Sequence, residues 1–186
     1  DQSNKLWAVN PIAMRCYNSS TLAQEDSIPL NNTSAYFFMR DNGELWLAGN
    51  HQLTLFDTHT RKFIETPKAI REHRLLAHAN INYIHPYGSN SLLLNTAKQG
   101  MFLYNHQEGR VIHQDENGFP FEAPRFNISK MFTDSQKNLW IGSVDQGYTV
   151  CYNYKERFNT NNYLKSCLEN KSVKSVAVDK ERNLWI

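Results

Sequence analysis

Seven histidines, 18 carboxylates and three cysteines are the residues with which this 186-residue chain could do chemistry. All seven histidines fall between His51 and His113, which invites a metal centre. Their successive spacings are 8, 14, 5, 7, 21 and 7, so none forms the i, i+4 pair of a helical site or a tight strand pair. Cys16, Cys151 and Cys167 form no Cys-x-x-Cys motif, and Cys151 and Cys167 could pair only in an oxidising compartment. The chain has no Gly-x-Ser-x-Gly, no glycine-rich phosphate loop and no His-Glu-x-x-His. The expectation is therefore no catalytic residue, no metal and no cofactor.

The carboxylates carry a different message, because some of them recur. All four tryptophans follow a leucine: Leu6-Trp7, Leu45-Trp46, Leu139-Trp140 and Leu184-Trp185. An aspartate stands five or six positions before each one, at Asp1, Asp41, Asp134 and Asp179. The tryptophans are 39, 94 and 45 residues apart, and 94 is twice 47. A degenerate copy should then lie near position 93, where Leu92-Leu93-Leu94 places Leu93 in the tryptophan slot. A carboxylate repeated at one turn position stabilises that turn by accepting backbone N–H bonds, which is a structural role and not an acid/base one.

The elements that position these residues follow from the same register. Polar turn formers such as Asn42-Gly43 and Gln136-Lys137-Asn138 lead into each Leu-Trp strand. A further strand ends in an aromatic residue plus Asn or Asp, at Tyr17-Asn18, Phe56-Asp57, Tyr104-Asn105 and Tyr152-Asn153. Phe63, Val111 and Phe158 mark a fourth strand, and 34–40, 81–86, 128–133 and 172–178 read as first strands. Four short antiparallel strands every 40–50 residues predict an all-β chain of β-propeller blades. Strands are expected at 45–48, 92–95 and 139–142, each second in a four-stranded sheet. Trp46 and Trp140 should be buried between neighbouring blades, because a single blade cannot cover its own faces. The stretch 68–78 is the best helical candidate, as a turn in a loop or as an anchor through Leu75 and Leu76.

Composition agrees with a folded chain. Hydrophobic residues make up 40%, aromatics 12%, and the net charge of +2 offers no footprint for nucleic acid. No apolar run approaches the roughly 20 residues of a membrane span.

The segment Asp134 to Ser143, with Asn138, Leu139, Trp140, Ile141 and Gly142 in register, resembles the two-component regulator propeller repeat. Asp41 to Gly49 and Asp179 to Ile186 are similar to it, Asp1 to Trp7 fits more loosely, and the third copy lacks both the Asp and the Trp. The resemblance implies a periplasmic sensor segment of a bacterial hybrid two-component system, anchored in the inner membrane and responsive to glycan fragments or related nutrients. It implies that any histidine kinase activity lies outside this chain; the alternatives are a propeller enzyme acting on polysaccharide, as a lyase or glycosidase, and a protein-interaction propeller scaffold. The expected organisation is one partial propeller over 1–186, with repeats at 1–33, 34–80, 81–127 and 128–171 and the start of another at 172–186. About four blades make an incomplete piece of a larger propeller, whose open edges meet other blades or a second copy in a homodimer.

Propeller topology then selects a ligand-facing rim, formed by loops between second and third strands and by loops that link blades. The residues expected to meet a ligand there are Asn50, His51, Lys98, Gln99 and Arg125. Asn10, Asp145, Gln146, Arg71, His73, Arg74, Phe119 and Phe121 share those loops.

Overall fold

The computed structural model describes residues 4–30, 34–49, 52–152, 177–181 and 183–185. The chain divides into two compact units, Asp1–Cys151 and Tyr152–Ile186. The first unit holds four successive antiparallel sheets. Strands β1 (Lys5–Asn10), β2 (Ala13–Asn18) and β3 (Gln24–Pro29) form the first sheet, and β3 is a strand that no sequence signature marked. The second sheet contains β4 (Ser34–Met39), β5 (Glu44–Gly49), β6 (Gln52–Asp57) and β7 (Lys62–Ile64). One helical turn, α1 (Lys68–Arg71), follows. The third sheet contains β8 (Ile81–Tyr87), β9 (Ser91–Thr96), β10 (Met101–Asn105) and β11 (Arg110–His113). The fourth contains β12 (Ile128–Thr133), β13 (Leu139–Ser143) and β14 (Tyr148–Cys151), and the strand expected at Phe158 lies outside the described residues. In the second unit, β15 (Ala177–Val178) pairs with β16 (Leu184–Trp185). The three strands expected at 45–48, 92–95 and 139–142 are thus β5, β9 and β13.

The Leu-Trp dipeptide works because successive strand residues point to opposite faces. Leu45 and Leu47 join Trp7, Met14 and Phe56 in the core between the first and second sheets. Trp46 and Ala48 turn the other way and join Ile84, Leu92, Leu94, Phe102 and Tyr104 between the second and third. Leu93 and Leu103 meet Met131, Leu139 and Ile141 between the third and fourth. Each sheet therefore offers a leucine face backward and a tryptophan-slot face forward. Trp46 is 1% exposed and lies 5.9 Å from the Tyr104 ring.

Trp140 departs from the expected burial and is 38% exposed. Its sheet is the last in the first unit, so no further leucine face within that unit covers it. Its ring packs on Tyr148 of its own sheet, at 5.5 Å. The segment after α1 anchors through Leu76, which is buried together with Ile70 and Ala79 against the core of the second and third sheets, whereas Leu75 is exposed.

The repeated turns divide into two chemistries. Asp134 accepts the Trp140 indole N–H at 2.9 Å, the Asn138 side-chain N–H at 3.0 Å, and the backbone N–H groups of Gln136 and Asn138. Asp179 does the same for Trp185, Asn183 and Glu181. Bonds to the charged carboxylate hold its pKa down, with the indole N–H the largest cause in both turns. For Asp179 the value falls to about 2.

Asp41 does not play this part. Backbone bonds show that Arg40 and Glu44 stand where Asp134 and Asn138 stand: Arg40 N–H donates to Glu44 O at 2.9 Å, as Asp134 N–H does to Asn138 O at 3.0 Å. The carboxylate has moved to the other end of the turn. Glu44 accepts the Trp46 indole N–H at 3.3 Å, and Arg40 pairs with Glu44 at 2.8 Å. A one-residue difference in Asp-to-Trp spacing was the visible sign of this exchange.

The aromatic-Asn motif closes the hairpin between the last two strands of a sheet. Asn18, Asp57 and Asn105 each accept backbone N–H bonds from residues two and three positions on. Four positions on, Leu22, Arg61 and Gly109 adopt φ of 56°, 56° and 59°. Only glycine takes that left-handed conformation without steric cost.

Candidate functional site

A cleft of about 350 Å³ opens at the loop end of the third sheet. Three chain segments line it: Leu75 from the connection after α1, 95–100 from the β9–β10 hairpin, and 113–115 with 124–127 from the connection to the fourth sheet. Lys98, Gln99 and Arg125, three of the five residues expected at a ligand rim, all line this one cleft. Asn50 and His51 lie outside the described residues.

The hairpin is held tightly from within. Thr96 Oγ1 accepts the Gln99 backbone N–H at 2.9 Å and donates to Gly100 O at 2.8 Å. Gly100 has φ of 78°, and a Cβ there would stand 2.7 Å from the Gln114 side-chain amide. That amide is committed, since Gln114 Oε1 accepts the Met101 N–H at 2.7 Å. The site thus needs glycine at position 100 on two counts, conformation and space.

His113 forms the floor beside the hairpin. Its Nε2 donates to the Gln99 carbonyl at 2.8 Å, which fixes the proton on Nε2 because a carbonyl can only accept. Its ring packs on Phe102 at 4.8 Å, and His73 packs on the same phenyl ring at 5.3 Å. Burial holds the His73 pKa below the usual histidine range. Its Nδ1 faces the backbone N–H groups of Leu75 and Leu76 at 3.3 Å. Neither histidine is thus a free surface donor, and a shared phenyl ring explains their approach.

The two cations differ. Arg125 is paired with Asp115 at 2.7 Å. Lys98 is exposed and makes no ion pair among the described residues. Among the described residues, Gln99 Oε1 is enclosed and has no hydrogen-bond donor beside it. The cleft itself presents one ammonium group without an ion pair and amides at Asn95 and Asn127. It suits a polar ligand that offers an acceptor to Lys98. It contains no nucleophile–base pair. His113, Asp115 and Asn127 were not anticipated, and only the Thr96–Gly100 turn pattern could have pointed to them.

The other rim residues have local duties. Asn10 Oδ1 accepts the N–H groups of Ile12 and Ala13, and Ser143 Oγ accepts those of Asp145 and Gln146. Arg71 pairs with Glu65. Phe119 and Phe121 pack edge to face at 5.0 Å, and Phe121 lies 5.9 Å from Tyr87 against the core of the third and fourth sheets. Apolar rings at the start of a linking loop find the nearest core before they find a ligand.

With the blade geometry in place, solved structures can be compared. The chain is similar to the WD40 β-propeller domain of Doa1, at 15% identity and a TM-score of 0.55, with 86% of this chain and 50% of that one covered. The fold is a β-propeller. The propeller is also similar to the extracellular domain assigned to the one component system BT4673 of B. thetaiotaomicron, at 16% identity and TM-score 0.59, over 100% of this chain and 25% of that one. A third likeness is to the extracellular domain assigned to the hybrid two component system BT3049 of the same organism, at 16% identity and TM-score 0.52, over 98% and 30%. The propeller segment thus spans between a quarter and a third of those two extracellular domains. It matches no protein-family profile and no curated protein. At these identities the likeness concerns the fold. Among the described residues, no helix is long and apolar enough to cross a membrane.

Proposed function

We propose that the chain is a non-catalytic, ligand-sensing propeller segment of a bacterial hybrid two-component system. In this reading it lies in the periplasm as part of an inner-membrane-anchored protein whose histidine kinase and regulator are outside this chain. Its ligand is a glycan-derived nutrient held at the loop rim by Lys98, Gln99 and Arg125. The observation that supports the reading is the convergence of those three residues, from two separate loops, on one polar cleft. The likeness to extracellular domains of B. thetaiotaomicron signalling proteins supports the cellular setting. A ligand signals by binding one conformational state better than another.

Thermal melting and calorimetry of the chain with neutral and acidic oligosaccharides test this. A ligand at about 100 times its Kd should stabilise the chain by about 2.7 kcal/mol. Lys98→Ala and Gln99→Ala should each weaken binding roughly tenfold, about 1.4 kcal/mol. Arg125→Ala should do less, because Asp115 already occupies its guanidinium. Binding indifferent to all three substitutions would reject the cleft, and cleavage of any oligosaccharide would reject the non-catalytic reading.

A further inference from the structure

The charged groups that line the cleft beside the third sheet are unevenly matched. Lys98 and Arg125 bring positive charge, and Asp115 is the one carboxylate among the lining residues. Lys98 is exposed and makes no ion pair among the described residues. Asp115 divides its carboxylate between two partners. Its Oδ1 accepts from Arg125 Nη2 at 2.7 Å, and its Oδ2 lies 3.7 Å from His113 Nδ1. The cleft thus already holds a carboxylate, supplied by its own wall.

That internal pairing is incomplete and replaceable. A guanidinium presents its N–H donors in a planar fork that fits both oxygens of a carboxylate. Asp115 engages one nitrogen of the Arg125 fork through one oxygen. The two side chains are 51% and 76% exposed, and an ion pair so open to water holds weakly. The loop that carries them has a separate anchor, since Phe119 and Phe121 pack against the core of the third and fourth sheets. The hairpin that carries Lys98 is fixed as well, by Thr96 Oγ1 at Gln99 and Gly100 and by His113 at the Gln99 carbonyl. Opening the Asp115–Arg125 pair therefore needs side-chain rotation and no backbone movement.

We propose that the cleft takes a sugar bearing a carboxylate, of the uronic-acid class, and that Asp115 holds the place of the ligand carboxylate at Arg125. This rests on the reading of the cleft as the ligand site. A uronate carboxylate meets the Arg125 fork with two oxygens where Asp115 uses one, and Lys98 adds a second cation to the same cleft. Its single negative charge balances the excess that Lys98 brings. A neutral sugar has nothing with which to displace Asp115, so Arg125 stays occupied. Asp115 is thus a selectivity device: it raises the threshold for every ligand and lets one with a competing carboxylate pass.

Calorimetry and heteronuclear NMR of the 186-residue chain give the test. The probes are a trisaccharide of galacturonic acid, the matching trisaccharide of galactose, and a sulfated galactose trisaccharide. The galacturonate should shift the Lys98 and Arg125 side-chain resonances and bind about tenfold more tightly than the neutral sugar. Asp115→Asn should tighten galacturonate binding roughly threefold or more and leave the neutral sugar unchanged. Arg125→Ala should cost little in the wild-type chain but about tenfold in the Asp115→Asn chain, a non-additivity that a merely structural Asp115 would not produce. Far-ultraviolet dichroism checks folding, and Asp115→Ser replaces the Asn variant if that variant fails it. Equal affinity for charged and neutral sugars, or an Asp115→Asn chain that binds no tighter, overturns the inference while the cleft remains the ligand site. Tighter binding of the sulfated sugar overturns the carboxylate assignment. Galacturonate that does not bind, or binds without moving Lys98 and Arg125, overturns the inference too. The reading beneath it falls separately, when no oligosaccharide of the wider neutral and acidic set depends on the cleft.

Discussion

The second and fourth sheets solve one problem with the carboxylate at opposite ends of the turn. Both must hold a tryptophan indole N–H at the head of a strand. In the fourth, Asp134 at the start of the turn accepts it, with Asn138 as helper. In the second, Glu44 at the end of the turn accepts it, and Arg40 takes the aspartate's place as a counter-ion. The backbone is nearly indifferent to the exchange, since both turns keep the same cross-turn bond and a left-handed residue three positions before the tryptophan. That residue is Gly43 at φ 82° in one and Lys137 at φ 66° in the other. A repeat thus conserves geometry more strictly than chemistry: any carboxylate within reach of the indole will serve.

The tryptophans themselves should separate the two sheets most. Trp46→Ala should cost about 3–5 kcal/mol, the range for a large buried aromatic. Trp140→Ala should cost roughly half of that or less, because much of its ring is already in water. Urea unfolding of both variants measures this, and equal losses would mean that exposure does not distinguish them.

The turns come next. Gly43→Ala should destabilise by about 1–2 kcal/mol from its left-handed φ, and more if His59 cannot move, since the new Cβ would press on the His59 ring. Lys137→Gly should stabilise by up to about 1 kcal/mol by removing the same strain. Thermal midpoints that fail to move in opposite directions would break the equivalence of the two turns.

The charge exchange can be tested directly by a double-mutant cycle. Arg40→Asp alone sets two carboxylates four residues apart and should cost roughly 1–2 kcal/mol, while adding Glu44→Asn rebuilds the fourth-sheet arrangement and should recover most of it. A purely additive cycle would show that the two residues act separately.

The smallest effect concerns acid. The pKa values of Asp134 and Asp179 are depressed in the folded chain, so their contribution is complete above the ordinary aspartate range of about 4. It is lost as pH falls through the folded value, which for Asp179 is about 2. Asp134→Asn should therefore narrow the difference in stability between neutral and acid solution. A pH titration of the unfolding midpoint reads this, and an unchanged acid limb would assign the depression no energetic weight.

Much of the fold was legible because strand period and repeat period are written in residue types. Leu45 and Trp46 point to opposite faces whatever surrounds them, and Asn18, Asp57 and Asn105 close their turns through bonds only two or three residues long. Strand β3 was not legible, because Gln24–Pro29 lies at the outer edge of its sheet and needs no apolar pattern of its own. The site was legible in outline. Loop position nominated Lys98, Gln99 and Arg125, but nothing local forecast that Asp115 would neutralise Arg125, or that His113 would cap the Gln99 carbonyl.

The sequence by itself determined what acts over short distances along the chain: the strands, their turns, and which face of each strand is apolar. Those follow from backbone sterics and side-chain alternation, which a few neighbouring residues settle. Tertiary structure decided what depends on residues far apart in the chain. It decided that Trp46 is sealed by Tyr104 while Trp140 stays partly in water, because burial requires a second surface. It also decided that Phe119 and Phe121 serve the core while Lys98 and Gln99 face a cleft, because only packing shows which loop side chains have somewhere else to go.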